Sequence, residues 1–152
     1  MGQINVAIIG VGNCASSLVQ GIHKYSEVQD NELQVPGLMH NVLGGYSIGD
    51  VNVVAAFDVD KDKVGKDLNE AIFTKNNNAL KFYDVPKTGV NVERGMTHDG
   101  VGEYLADVIE VEKDQNKSGS QTSDIVQILR EKEVDVVINY LPVGSEQATK
   151  WY

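Results

Sequence analysis

The chain has 152 residues, 41% of them hydrophobic, with one cysteine and 13 basic against 22 acidic side chains, a net charge of −9. That length supports one domain with its own core, and the single Cys14 excludes a disulfide framework. The acidic balance argues against nucleic acid and anionic membranes as partners. No apolar run nears the roughly 20 residues of a spanning helix, and with no secretory pattern after Met1 the expected compartment is the reducing cytoplasm.

Residues 4–9 are β-branched and nearly continuous in apolar character, then halt at Gly10, which reads as a buried parallel strand. From Asn13 the period changes. Ala15, Leu18, Val19 and Ile22 fall on one helical face, with Ser16, Ser17, Gln20 and His23 off it. Residues 52–58 predict a second buried strand ending in an acid, followed by a helix over 61–73 with Val64, Leu68, Ala71 and Ile72 on one face. Residues 76–97 read either as irregular or as carrying a short strand over 89–93, and residues 101–109 as helical. The polar run 113–120 reads as a mobile surface loop inserted within the domain. Thr122 or Ser123 can cap a helix that turns Ile125, Val126, Ile128 and Leu129 inward. Residues 134–139 form another strand, and a last helix begins at Gly144 or Ser145.

Strands alternating with helices predict an α/β fold, a Rossmann-like parallel sheet with helices on both faces. Three strands are fewer than the six of a complete dinucleotide fold, so the chain reads as an incomplete sheet, the first part of something larger.

Gly10-Val11-Gly12-Asn13-Cys14-Ala15 matches G-x-G-x-x-A between a strand and a helix. The first glycine permits the tight turn, the second lets a pyrophosphate approach the backbone, and the small Ala15 lets helix pack on strand. Free N–H groups of the first helical turn, with the helix dipole, would hold the anion. A purely structural turn is the alternative. Asp58, ending the second strand, can accept both ribose hydroxyls of NAD and would repel the 2′-phosphate of NADP. Asp60 competes for that role, and Asp58 could also be a simple turn acid. The gap from Gly12 to Asp58 far exceeds the usual ~20 residues, the excess lying in residues 25–50.

Asn139, Tyr140, Leu141, Pro142 and Ser145 follow the late strand at the carboxyl edge of the sheet, where ligands of open α/β sheets bind. They could line the nicotinamide side, or form a turn that Pro142 stiffens and Ser145 caps. Cys14 reads as a small buried filler. His23, His40 and His98 lack metal-ligand spacing, so no metal site is expected. The stretch Thr97-His98-Asp99-Gly100 is either a ligand contact or a helix-capping turn. Trp151 and Tyr152 suit helix packing better than base stacking. Asp67 reads as an exposed helical acid unless it meets the ligand.

Several blocks together resemble one family. Residues 6–22, Val35-Pro36-Gly37-Leu38-Met39-His40, Val54-Ala55-Ala56-Phe57-Asp58-Val59-Asp60, Lys63-Val64-Gly65 and Tyr140-Leu141-Pro142-Val143-Gly144-Ser145-Glu146 are similar to the amino-terminal, NAD-binding part of myo-inositol-phosphate synthases (inositol-3-phosphate synthases) of the archaeal and actinobacterial type. The resemblance implies an isomerase of inositol biosynthesis. It would convert glucose 6-phosphate to an inositol phosphate by oxidation at C5, enolisation, aldol closure and reduction, with NAD restored within each turnover. It assigns cofactor contacts to Gly10, Gly12, Asn13, Cys14, Ala15 and Asp58, adds Asp67 and Tyr152, and sets the loop of Asn139, Tyr140, Leu141, Pro142 and Ser145 beside the nicotinamide. The family's catalytic lysines, substrate-phosphate site and tetramer-forming sheet lie downstream, so no catalytic residue is assigned here. The resemblance therefore implies a homotetrameric parent and a fragment inactive alone. Residues 94–100 depart from the family pattern at Met96. Two other classes fit the motifs: a free-standing NAD-binding regulatory module, and another NAD-dependent oxidoreductase, for which 139–145 offers no Lys or His as catalytic acid.

Overall fold

In the computed structural model, which describes residues 2–28, 35–112 and 122–152, the elements run β1 (Ile4–Ile9), α1 (Asn13–Tyr25), β2 (Val42–Leu43), β3 (Tyr46–Ser47), β4 (Val51–Asp58), α2 (Leu68–Ala71), β5 (Val92–Arg94), α3 (Glu103–Ala106), α4 (Thr122–Glu131), β6 (Val136–Asn139) and α5 (Glu146–Trp151). The polar run 113–121 and the expected capping side chains of Thr122 and Ser123 lie outside the described parts.

Four strands form a wholly parallel sheet in the order β5-β4-β1-β6, the three continuous apolar runs joined by the optional short strand, which forms as β5. Alternation along the strands divides the core in two. Val6, Ile8 and Ala56 face α1 and α2 through Ala15, Val19, Leu68, Ala71 and Ile72. Ala7, Ile9, Ala55 and Phe57 face α4 through Ile125, with Ile128, Leu129 and Tyr152 alongside. An irregularity between Val6 and Ala7 moves the register by one, so that Ile9 pairs with Phe57 and both lie on the α4 face. The α/β arrangement with helices on both faces is therefore present.

Several local expectations change. Ser16 and Gln20 are wholly buried, although they lie off the apolar face of α1. The Gln20 amide accepts from the N–H of Phe82 (2.8 Å) and Tyr83 (3.1 Å) and donates to the Leu80 carbonyl (3.2 Å), so an extended segment runs along the helix and satisfies the buried amide. Val126 is exposed, not inward-facing. The helix expected over 61–73 shrinks to α2, because Gly65 takes a φ of +82° and the backbone there turns to pair with the sheet edge. The Gly65 N–H donates to the Val92 carbonyl, the Val92 N–H to Lys66, and the Leu68 N–H to Val90. Similarly, 101–109 yields only the short α3, and the short strand lies at β5 rather than 89–93.

The long 25–50 segment, where described, carries the hairpin β2–β3. Gly44 and Gly45 turn it, both at positive φ, and Gly49 passes so close to the Ser26 carbonyl that a Cβ would overlap it. The Gly44-Gly45 pair was the sequence signal for this hairpin. No helix among the described residues is long and apolar enough to cross a membrane.

Candidate functional site

The chain order reverses at β1: β4 and β5 lie to one side and β6 to the other, which opens a crevice at the carboxyl ends of the strands. A cavity of about 200 Å³ occupies this edge. Gly10 and Gly12 reach it from the turn after β1 and Asn13 from the start of α1, Phe57 and Asp58 from β4 and Val59 just after it, and Tyr140, Leu141 and Pro142 from beyond β6, with Tyr152 closing one side.

The glycine turn has the shape its pattern predicts. Gly10 sits at φ +88°, and its N–H donates to the Phe57 carbonyl at 2.8 Å. A Cβ there would stand 3.1 Å from the Tyr140 carbonyl group, so Gly10 serves a close backbone approach. A Cβ on Gly12 would meet nothing within 4 Å. Gly12 is also the N-cap of α1, and no side chain caps the helix there. Ala15 is wholly buried beneath, as helix-on-strand packing requires. Cys14 is exposed, which overturns its reading as a buried filler; the first helical turn points that position outward.

Asp58 has a structural task and lines the cavity as well. One oxygen accepts from the Val11 N–H at 2.7 Å, tying the glycine turn to β4, and the other accepts from the N–H groups of Val59 (2.7 Å) and Asp60 (2.9 Å). Each carboxylate oxygen has about two acceptor positions, so Oδ2 keeps one beyond the Val11 bond. Asp60, the competing acid, is 1% exposed and bound by the Asp62 N–H and the Asn76 amide; it does not line the cavity.

Other expected residues separate from the cavity. Asp67 is no exposed helical acid: it is buried and N-caps α2, and its carboxylate accepts from the Thr88 hydroxyl (2.7 Å) and the N–H groups of Asn69, Thr88 and Gly89. Burial pushes its pKa up, but those four bonds outweigh it and hold the group below the ordinary carboxylate value. Asn139 accepts from the Leu141 N–H and donates to the Thr149 hydroxyl, bracing the loop rather than facing the cavity. Ser145 does not cap α5: its Oγ is buried with no hydrogen-bond partner among the described residues. The cap comes from Asp99, which accepts from the N–H groups of Gln147 (2.9 Å) and Ala148 (2.8 Å). Those bonds hold the Asp99 carboxyl below its usual range. The 97–100 loop is thus a helix-capping turn, although Gly100 also lines the cavity.

Tyr152 packs against Phe57, ring centroids 6.0 Å apart, and its hydroxyl accepts from the Met96 N–H at 2.9 Å. Burial pushes that hydroxyl up to about 12. Gly95 makes the room, since a Cβ there would overlap the Tyr152 hydroxyl. Trp151 stacks on His98 at 4.8 Å, so both final aromatics serve helix docking.

Sequence reading missed Lys63, Asn76, Asn77 and the apolar wall of Met96, Leu105, Val108 and Ile109. The Asn77 amide donates to the carbonyls of Val11 and Ile72, both at 3.1 Å. Asn13 Oδ1 accepts from the N–H groups of Asn78 (2.6 Å) and Ala79 (2.9 Å), so this side chain clasps a strap over the glycine turn. The run Asn76-Asn77-Asn78 was the available signal, since three consecutive amides suit a backbone-clasping turn. No group of His, Cys, Asp and Glu able to hold a metal occurs among the described residues.

No family model matches the chain. The inositol-3-phosphate synthase of Mycolicibacterium smegmatis is 57% identical over 151 residues, which are 99% of this chain and 40% of that protein. Among solved structures, Ari2 superposes with a TM-score of 0.71 at 30% identity, covering 96% of this chain and 40% of that one. A myo-inositol-1-phosphate synthase-related protein from Thermotoga maritima gives a TM-score of 0.60 at 25% identity, covering 91% of this chain and 34% of that one. The resemblance carried by the motifs is borne out along the chain: over nearly all its residues it is similar to inositol-3-phosphate synthases, and it spans about 40% of the length of the curated relatives it matches.

Proposed function

We propose that this chain is the NAD-binding portion of an inositol-3-phosphate synthase that converts D-glucose 6-phosphate to 1D-myo-inositol 3-phosphate by oxidation, enolisation, aldol cyclisation and reduction. The observation that carries the reading is the cavity at the strand-order reversal, with Gly12 open above an uncapped helix start and Asp58 in its wall. These features fit a dinucleotide. The open Gly12 position leaves room for a pyrophosphate, the free first turn of α1 suits an anion, and the spare acceptor position of Asp58 suits a ribose hydroxyl.

Gly10, Gly12 and the N–H groups of Asn13, Cys14 and Ala15 would hold the pyrophosphate, Asp58 the adenosine ribose, and Tyr140, Leu141 and Pro142 the border of the nicotinamide. Tyr152 contributes a wall that is fixed through Met96. Asn13 acts on the cofactor through backbone and strap, and Asp67 and Asn139 support the surrounding loops. When bound, NAD supplies a reversible hydride acceptor. The chain's own residues bind and orient it. On this reading the enolising and cyclising groups lie elsewhere in the parent, a cytoplasmic homotetramer, and the chain alone leaves glucose 6-phosphate unconverted.

Calorimetric titration with NAD and NADP tests the reading, comparing the protein with Asp58→Asn. Asn keeps one oxygen to accept from the Val59 and Asp60 N–H groups but loses the charge and the second oxygen that accepts from Val11, so circular dichroism first checks that the variant is folded. We expect saturable NAD binding, weakened roughly tenfold or more by Asp58→Asn, with discrimination against NADP reduced. A folded protein that binds neither dinucleotide overturns it.

A further inference from the structure

Lys63 is a charged residue of the cavity wall to which the cofactor reading gives no task. Its side chain is 7% exposed, so most of it is withdrawn from bulk water. What replaces that water is incomplete. Asp60 Oδ2 lies 3.6 Å away and Asp58 Oδ2 3.9 Å away, close enough for attraction but beyond the length of a charged hydrogen bond. Among the described residues no other acceptor is bonded to it. Both neighbouring carboxylates are already engaged, Asp60 by the Asp62 N–H and the Asn76 amide, Asp58 by three backbone N–H groups. An ammonium carries three donors, and on the cavity wall these can reach an oxygen inside it. The unmet donors of Lys63 are therefore available to an oxygen of whatever fills the cavity.

The charge around it says which kind of oxygen. Two carboxylates against one ammonium leave the corner net negative, which disfavours a phosphate. A hydroxyl suits both partners, because it can donate to the spare position on Asp58 Oδ2 while accepting from Lys63. Resting on the NAD reading above, we propose that Lys63 is a specificity residue of that site. It donates a hydrogen bond to an adenosine-ribose hydroxyl whose proton points to Asp58, so that the Lys63–Asp58 pair reads the presence of a hydroxyl. Lys63 occupies that place because its backbone N–H closes a turn on the Asp60 carbonyl at 2.9 Å, just after β4.

The test is a titration of the protein, Lys63→Met and Lys63→Arg with NAD, 2′-deoxy-NAD and 3′-deoxy-NAD, after circular dichroism shows each to be folded. The analogue lacking the recognised hydroxyl should bind the unaltered protein roughly ten- to a hundredfold more weakly than NAD. Lys63→Met should weaken NAD by a similar factor and that analogue hardly at all, because the contact it removes is already missing. Should Lys63→Met fail to fold, with Asp60 left buried and unpaired, Lys63→Arg carries the comparison. Its longer, planar head cannot sit at the same point, and its loss should again fall on NAD and spare the analogue. Equal losses on all three ligands, in whichever variant folds, would make Lys63 a positioning residue and overturn the proposal. Absence of NAD binding by the unaltered protein is a separate result: it removes the cofactor reading itself, and this proposal with it.

Discussion

Gly10 and Gly12 stand two positions apart and answer different physical demands. Gly10 has a positive φ and faces the Tyr140 backbone, which cannot give way, whereas Gly12 faces open space. Gly10→Ala should therefore cost stability, roughly 1–3 kcal/mol for a strained backbone position. Gly12→Ala should shift stability by less than about 1 kcal/mol yet weaken NAD binding about tenfold or more, because its methyl enters the space a pyrophosphate needs. Thermal melts and titrations of the two variants check this. A Gly12→Ala protein that binds NAD like its parent would remove the pyrophosphate assignment. Asp58 shows that a turn acid can also face a cavity. It is a turn acid that ties Val11 to the end of β4 and also a wall of the cavity. Its residue type and position were legible in sequence; the Val11 bond was not, since it joins residues far apart in the chain.

At the scale of elements, the 61–73 stretch carries helical periodicity yet mostly does not form a helix. Gly65 breaks the pattern, and backbone pairing with residues 90–92 takes up the N–H and carbonyl groups that a helix would have used. Asp67 then starts α2 and gathers the 88–89 turn onto it. Its pKa is lower in the folded state than the unfolded value of about 4. It therefore adds stability above that pH, and the contribution disappears as pH falls through the folded value. Asp67→Ala should destabilise at neutral pH by roughly 1–3 kcal/mol, through the lost cap and the donors left unmet. The gap between the melting curves of parent and variant should close in acid. A gap independent of pH would contradict this account. The last helix follows similar logic: α5 has only six residues, and it is held by the Asp99 cap, the His98–Trp151 stack and the Met96–Tyr152 bond. A helix that short gains little from propensity and depends on such docking.

At the scale of the whole molecule, β1 and β4 are the inner strands of the sheet and β6 an edge among the described residues. Val136 and Val137 on β6 are 46% and 44% exposed, and Val143 beyond it is fully exposed. An exposed strand edge with apolar side chains is a template for pairing with another chain. The protein should self-associate with rising concentration in sedimentation experiments, and substituting Lys at Val137 should shift it toward monomer. A monomer at every concentration, in parent and variant alike, would count against this.

The sequence by itself determined the α/β class, the glycine turn between β1 and α1, the acid at the end of β4 and the place of β6, because each is written in a local pattern of a few neighbouring residues: apolar runs, a change of period, small residues at a turn. The blocks that resemble inositol-phosphate synthases were equally legible, since the comparison reads residues and not contacts. Only the tertiary structure decided which of these residues share a cavity. It set Asp58 in the wall and Asp60 outside it, spent Asp67 on a turn, put Cys14 outside the core, and brought Lys63, Asn77 and Met96 to the site. The physical reason is distance along the chain: those roles depend on hydrogen bonds and packing between segments that meet only when the sheet assembles, and even a local signal such as the Asn76-Asn77-Asn78 run does not name the segment it clasps.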